Sequence, residues 1–199
     1  EWGDALFVVL DPYWNSTKTT NTDGWNLTLG ERQYRWLAST LSGSRARYKF
    51  IFLHNLVGGL DGQMRGGVEA APYFEWGGKS LSGTDEFAQK RPGWQAPIHQ
   101  LLVQNHVTAV FHGHDHVYVR QALDGIVYQE VPQPSAKNNN SGATIASDYH
   151  YTSGTILSSS GYLRVTVSPG GVTGRYVRSW LPKDENAQRR NGQVDDTWT

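Results

Sequence analysis

Cysteine is absent from these 199 residues, which excludes a disulfide framework and any thiolate metal site. Excess charge is missing too: 18 Lys and Arg face 18 Asp and Glu. The basic residues are scattered, so no stripe exists for a phosphate backbone to follow, and nucleic acid is not an expected partner. Long apolar runs are also lacking. The longest clean one, ALFVVL at 5–10, falls far short of the roughly 20 residues that cross a bilayer, so no membrane partner is expected. The opening Glu1-Trp2-Gly3 carries no initiator Met, basic segment or apolar leader, and reads as a mature, processed or truncated end. Sequons begin at Asn15, Asn26 and Asn139. They leave the compartment unknown, leaning toward an extracytoplasmic or secreted one.

Glycine and aromatics are plentiful, with 22 Gly, 8 Trp and 10 Tyr, while charged residues are only 18% against the usual quarter or so. This composition points to a loop-rich, aromatic-rich fold rather than a helical bundle, and the length to one domain.

Along the chain, Ala5 to Asp11 reads as a buried strand stopped by Pro12. Tyr34, Leu37 and Leu41 at helical spacing predict a helix over about 30–42, with Glu31 in its first turn. Tyr48 to Leu53 predicts a strand running into His54. Asn55 to Gly93 is Gly-rich and aperiodic. It is expected to be a loop, either a substrate wall or a segment packed down by Tyr73, Phe74 and Trp76. Pro97 to Asn105 predicts a helix and Val107 to Phe111 a strand, while Asp124-Gly125 between Val117–Ala122 and Ile126–Val131 signals a hairpin. Gln133 to Gly154 reads as a long polar loop. Tyr162–Val167 and Val172–Val177 form a second hairpin, and the residues after Pro182 a solvated tail or linker.

Two apolar strands, YKFIFL and VTAVF, each end in histidine, at His54 and at His112-Gly113-His114-Asp115-His116. Strand carboxyl ends are where ligand sites collect in α/β sheets, so two such ends bearing imidazoles suggest one shared site. One histidine after a strand reads as packing. Three within five residues on a tight turn repel when charged or need a common partner, and a cation is that partner. The residues alone imply a transition-metal site of Zn, Fe or Mn class on neutral imidazole nitrogens, able to polarise water for hydrolysis.

The segment GHDH at 113–116 resembles the G-H-x-H signature of calcineurin-like, purple-acid-phosphatase-like metallophosphoesterases, and HVYVR at 116–120 is similar to the HVYxR that follows it there. The order of strand-histidine, long loop, helix, strand, signature and hairpins fits as well. The resemblance implies an α/β (α+β) layered sandwich of mixed β-sheets flanked by helices. It also implies a centre of two divalent or trivalent transition metals, in which a metal-bridging hydroxide attacks the phosphorus of a small phosphorylated substrate. His54 and His114 would ligate one metal and His116 the other. Asp115 would orient a ligand; His112 is read chiefly as structural, and Asn55 as a neighbour that supports ligands or touches substrate.

The family's earlier motifs D-x-H, G-D-x-x-D and G-N-H-D or G-N-H-E do not precede these residues; Asp148-Tyr149-His150 spells the first, but downstream. Residues 1–181 are therefore expected to be the C-terminal part of such a domain and 182–199 a polar tail. The missing N-terminal part would be a partner, and self-association through exposed sheet edges is expected. Two other readings fit the same residues: a non-catalytic phosphoesterase-like binding module, and a mononuclear three-histidine hydrolase.

Overall fold

The computed structural model describes residues 1–15, 24–56, 66–135 and 141–199. Its centre is a six-stranded mixed sheet. Five of its strands are β1 (Ala5–Val9), β2 (Tyr48–Phe52), β3 (Ala109–His112), β4 (Tyr118–Leu123) and β5 (Ile126–Glu130); with β6 (Thr155–Leu157) they stand in the order β1-β2-β3-β5-β4-β6. β1, β2, β3 and β5 run parallel, and β4 is antiparallel to both of its neighbours. Parallel neighbours bring their carboxyl ends to one edge, which is why sequence-distant strand ends meet.

Side-chain alternation divides the core. Leu6, Val8, Ile51 and Val110 face the helical layer, packing on Tyr34, Leu37 and Leu41 of α1 (Gly30–Gly43) and on Ile98, Leu101 and Leu102 further along. Ala5, Phe50, Ala109 and Phe111 face the other way, toward Val172 and Trp198. Those two residues belong to a three-stranded antiparallel sheet whose strands are ordered β7-β8-β9. Its members are β7 (Gly161–Ser168), β8 (Gly171–Arg178) and β9 (Val194–Trp198). The expected layered α/β sandwich of mixed sheets and helices is thus the observed architecture. The Asp124-Gly125 hairpin forms as expected, with both residues at positive φ, 49° and 81°, the conformation a primed two-residue turn requires.

Lys49 lies on the helical side of β2, almost fully buried. Its Nζ donates to Leu41 O at 3.1 Å and to Asn105 O at 3.0 Å. It thereby satisfies carbonyls at the ends of α1 and of the helix Ile98–Gln104, where a cation also complements the helix dipoles.

Three expectations are corrected. Within 55–93 the chain is not structureless: it forms one-turn helices α2 (Gly67–Ala70), α3 (Phe74–Gly77) and α4 (Phe87–Lys90), followed by the expected helix, now α5 (Ile98–Gln104). Trp76 is fully buried and donates to Tyr128 Oη at 2.9 Å, so the aromatics do pack this segment down. Glu69 pins α2 by accepting from Gln121 Nε2 at 2.6 Å, Thr152 N at 3.0 Å and Ser153 Oγ at 2.7 Å. Residues 57–65 of the predicted loop lie outside the described residues. Within 133–154 a helix, α6 (Gly142–Asp148), is capped by the Ser141 hydroxyl, which accepts from Thr144 N at 3.3 Å. Finally, the polar tail contributes β9, which pairs with β8. Its alternation was hidden by Asp195 and Asp196; the second has its partners on β4, where Tyr118 Oη and Arg120 Nε donate to it, both at 2.6 Å.

Candidate functional site

The backbone ladder continues past the ends of β2 and β3. Leu53 N donates to Phe111 O at 3.1 Å and Gly113 N donates to His54 O at 2.8 Å. The peptide carrying His54 is therefore stitched to the start of the His114 turn. Their imidazoles meet at the surface, with His54 Nε2 2.6 Å from His114 Nδ1 and the ring planes 85° apart. With neutral rings, one nitrogen donates and the other offers its lone pair; in the other tautomer both lone pairs are available to a cation.

The turn itself is unusual in its backbone. His114 has φ 92° and His116 has φ 56°, each a left-handed conformation that costs a non-glycine residue about 1–3 kcal/mol and persists only where the surroundings hold it. Those surroundings are specific. Asp115 N donates to Glu130 Oε1 at 3.0 Å, Tyr151 Oη donates to Asp115 Oδ2 at 2.8 Å, and Ser159 Oγ donates to His116 O at 2.5 Å.

His112, Asp115, Glu130 and Tyr151 are all buried. His112 Nδ1 lies 2.7 Å from Glu130 Oε2, a close contact without the geometry of a hydrogen bond, and among the described residues neither His112 ring nitrogen has a hydrogen-bond partner. Burial pushes the Glu130 carboxyl above its ordinary range, with His112 opposing the shift. Burial likewise raises the Tyr151 phenol, and the neighbouring Glu130 and Asp115 add to the effect.

The sequence-predicted residues thus separate. His54 and His114 are in contact; His116 is exposed beside them on the same turn. His112 and Asp115 are buried beneath that turn. Asn55 is also buried: its Nδ2 donates to Leu56 O at 3.0 Å and its Oδ1 accepts from the Tyr13 hydroxyl. Among the described residues no group of three or more His, Asp or Glu side chains is placed to hold a metal ion.

Tyr13, Glu130, Tyr151 and Ser159 were not singled out by sequence. Tyr13, whose ring centroid is 6.2 Å from that of His54, sits in an aperiodic stretch and offered no signal. Glu130 did offer one. It shares the alternation phase of Ile126 and Tyr128, both buried, and an acid in a core phase demands a partner.

A scan against protein-family models finds no match, and a search of the curated proteins finds none. Among solved structures, the chain is similar to one described as GAP50, the anchor in the inner membrane complex of Plasmodium. The TM-score is 0.54 at 15% identity, over 98% of this chain and 48% of that one. It is also similar to purple acid phosphatase PPD1 from yellow lupin (Lupinus luteus) seeds, with a TM-score of 0.48 at 14% identity, over 100% of this chain and 31% of that one. Identities this low carry the fold alone. The chain spans about half of the first neighbour and under a third of the second.

Proposed function

We propose that this chain supplies the histidine ligands of a metal-dependent phosphoric ester hydrolase. The observation that carries the reading is the meeting of His54 Nε2 and His114 Nδ1 at 2.6 Å, at the carboxyl ends of adjacent parallel strands. The donor chemistry suits transition metals of the Fe, Zn or Mn class, which accept neutral imidazole. His54 and His114 would hold one ion, and His116 would serve a second. Bound there, such ions lower the pKa of water and neutralise charge on phosphoryl oxygens. The residues beneath orient the donors: Glu130, Tyr151 and Ser159 fix the turn, and the Tyr13–Asn55 hydrogen bond steadies the chain beside His54. Two converging nitrogens are only part of a coordination sphere. The remaining donors would come from polypeptide beyond these residues, matching the share of the neighbours' length that this chain does not span.

An open edge and an apolar groove support a seat for such a polypeptide. β1 is the outer strand of its sheet, with Phe7 48% and Val9 72% exposed. Beside it an apolar groove of about 520 Å³ runs between Phe7, Phe50, Phe52 and Phe111 on one side and Tyr162, Leu163 and Val165 on the other. We also propose an extracytoplasmic setting, supported by the sequons at Asn15 and Asn26. A mass loss on deglycosylating the natural product would support it, and unmodified asparagines would count against it.

The test is elemental analysis and hydrolysis of a chromogenic phosphate ester by the protein in its natural length, with His114→Ala beside it. Bound metal and turnover that are lost together in the variant are expected. No metal and no turnover in the wild type would overturn the reading in favour of a phosphoesterase-like binding module.

A further inference from the structure

We propose that Glu130 is a positioning residue for the histidine pair, its single buried carboxylate holding the HGHDH turn in the conformation that presents His114 to His54. This deepens the metal-centre reading above and rests on it for function, but its geometry stands separately.

Glu130 is paired in register with His112 across the parallel β3–β5 ladder. Its two oxygens grip the turn on either side of His114: Oε2 lies 2.7 Å from His112 Nδ1, and Oε1 accepts from Asp115 N at 3.0 Å. Tyr151 closes the arrangement from the segment after α6, donating to Asp115 Oδ2 at 2.8 Å and lying 3.4 Å from Glu130 Oε2. One carboxylate thus ties the end of β3, the peptide after His114 and a distant aromatic into one unit. A fully buried acid leaves no room for water to replace these contacts, so losing one of them leaves a buried polar group with no substitute partner. The left-handed φ of His114 is sustained by it. A residue retained merely to satisfy the core would have no reason to contact both flanks of a surface histidine.

The experiment compares wild type with Glu130→Gln. The amide keeps the shape and one acceptor but replaces the second oxygen with a donor. Imidazole ¹H–¹⁵N spectra of His54 and His114 are read together with urea unfolding and Co²⁺ titration. Expected are cooperative unfolding, displaced ring resonances of both histidines, and Co²⁺ affinity weakened by about 10- to 100-fold, the usual effect of losing a residue that orients ligands. Ring resonances that coincide with wild type in folded Glu130→Gln would overturn the proposal. If that variant does not fold, Glu130→Asp, which keeps the charge but retracts it by a methylene, is read by the same resonances and the same criterion. Wild type that takes up no Co²⁺ counts against the metal reading alone, because the ring comparison still decides the role of Glu130.

Discussion

Replacing Arg91 with Ala isolates the most demanding electrostatic contact in the fold. Glu75 is fully buried and Arg91 only 16% exposed. The guanidinium donates to Glu75 Oε1 and to Trp25 O, and its Nη1 donates to Lys90 O at 2.7 Å. Removing one partner of a buried pair typically costs about 3–5 kcal/mol, because the remaining charge is stranded. Here Glu75 would keep the Thr28 hydroxyl and the Leu29 N–H at 3.0 Å, so the lower end, about 3 kcal/mol, is expected. The loss should depend on pH. Burial already raises the Glu75 carboxyl and Arg91 opposes it; without Arg91 the folded-state pKa climbs further above the unfolded value. A raised pKa contributes stability that is fully present below the unfolded pKa and lost as pH rises through the folded one. The deficit should therefore be smallest near about pH 4 and grow toward neutrality, by at most about 1.4 kcal/mol per pH unit. Urea unfolding followed by tryptophan fluorescence measures it, since Arg91 lies 5.5 Å from the Trp25 ring and 5.7 Å from that of Trp94. Adding Glu75→Gln should recover part of the loss at neutral pH. A deficit below about 1 kcal/mol, or one that is flat with pH, would refute the reasoning.

Lys49→Met should cost about 2–3 kcal/mol in chemical denaturation, because a buried and a half-buried carbonyl lose a charged donor; a change within about 0.5 kcal/mol would mean that solvent serves them instead. Asp196 is held below its ordinary range: burial would raise it, but hydrogen bonds from Arg120 and Tyr118 prevail. A depressed pKa gives stability that is present above the unfolded value of about 4 and lost as pH falls through the folded one. The acid limb of unfolding should therefore be shallower in Asp196→Asn, and parallel profiles would disprove this. The open β1 edge should drive association, so residues 1–199 are expected to sediment as dimers or larger at micromolar concentration. Val9→Lys should shift them toward monomer, as charged edge residues do in natural sheets; identical distributions would exclude that edge.

Period and punctuation carried much of the fold. Tyr34, Leu37 and Leu41 announced α1, and Asp124-Gly125 announced its hairpin, because both signals are local and each residue's choice agrees with its neighbours'. What could not be read depended on partners far along the chain. The one-turn helices α2, α3 and α4 are too short to show a period; α2 is fixed by Glu69 reaching residues 152 and 153, and α3 by Trp76 reaching Tyr128. Strand β9 was concealed because Asp196 is satisfied by Arg120 and Tyr118 of β4, a pairing no window of sequence displays.

The site follows the same division, with one instructive exception. Strand-ending histidines were visible because a parallel sheet gathers its carboxyl ends, so two local patterns pointed His54 and the HGHDH turn to one place, while the resemblance singled out His114 as the partner of His54. The support beneath them was invisible as chemistry yet visible as an anomaly. Ile126, Tyr128 and Glu130 alternate in one phase, and the first two are unmistakably core. An acid in the third position must either leave the sheet or find donors, because an unpaired buried carboxylate is too costly to keep. It finds them in the turn between His112 and Asp115. A polar residue out of place in an apolar alternation therefore points to a support beneath the turn, Glu130, that the histidine motif does not itself contain.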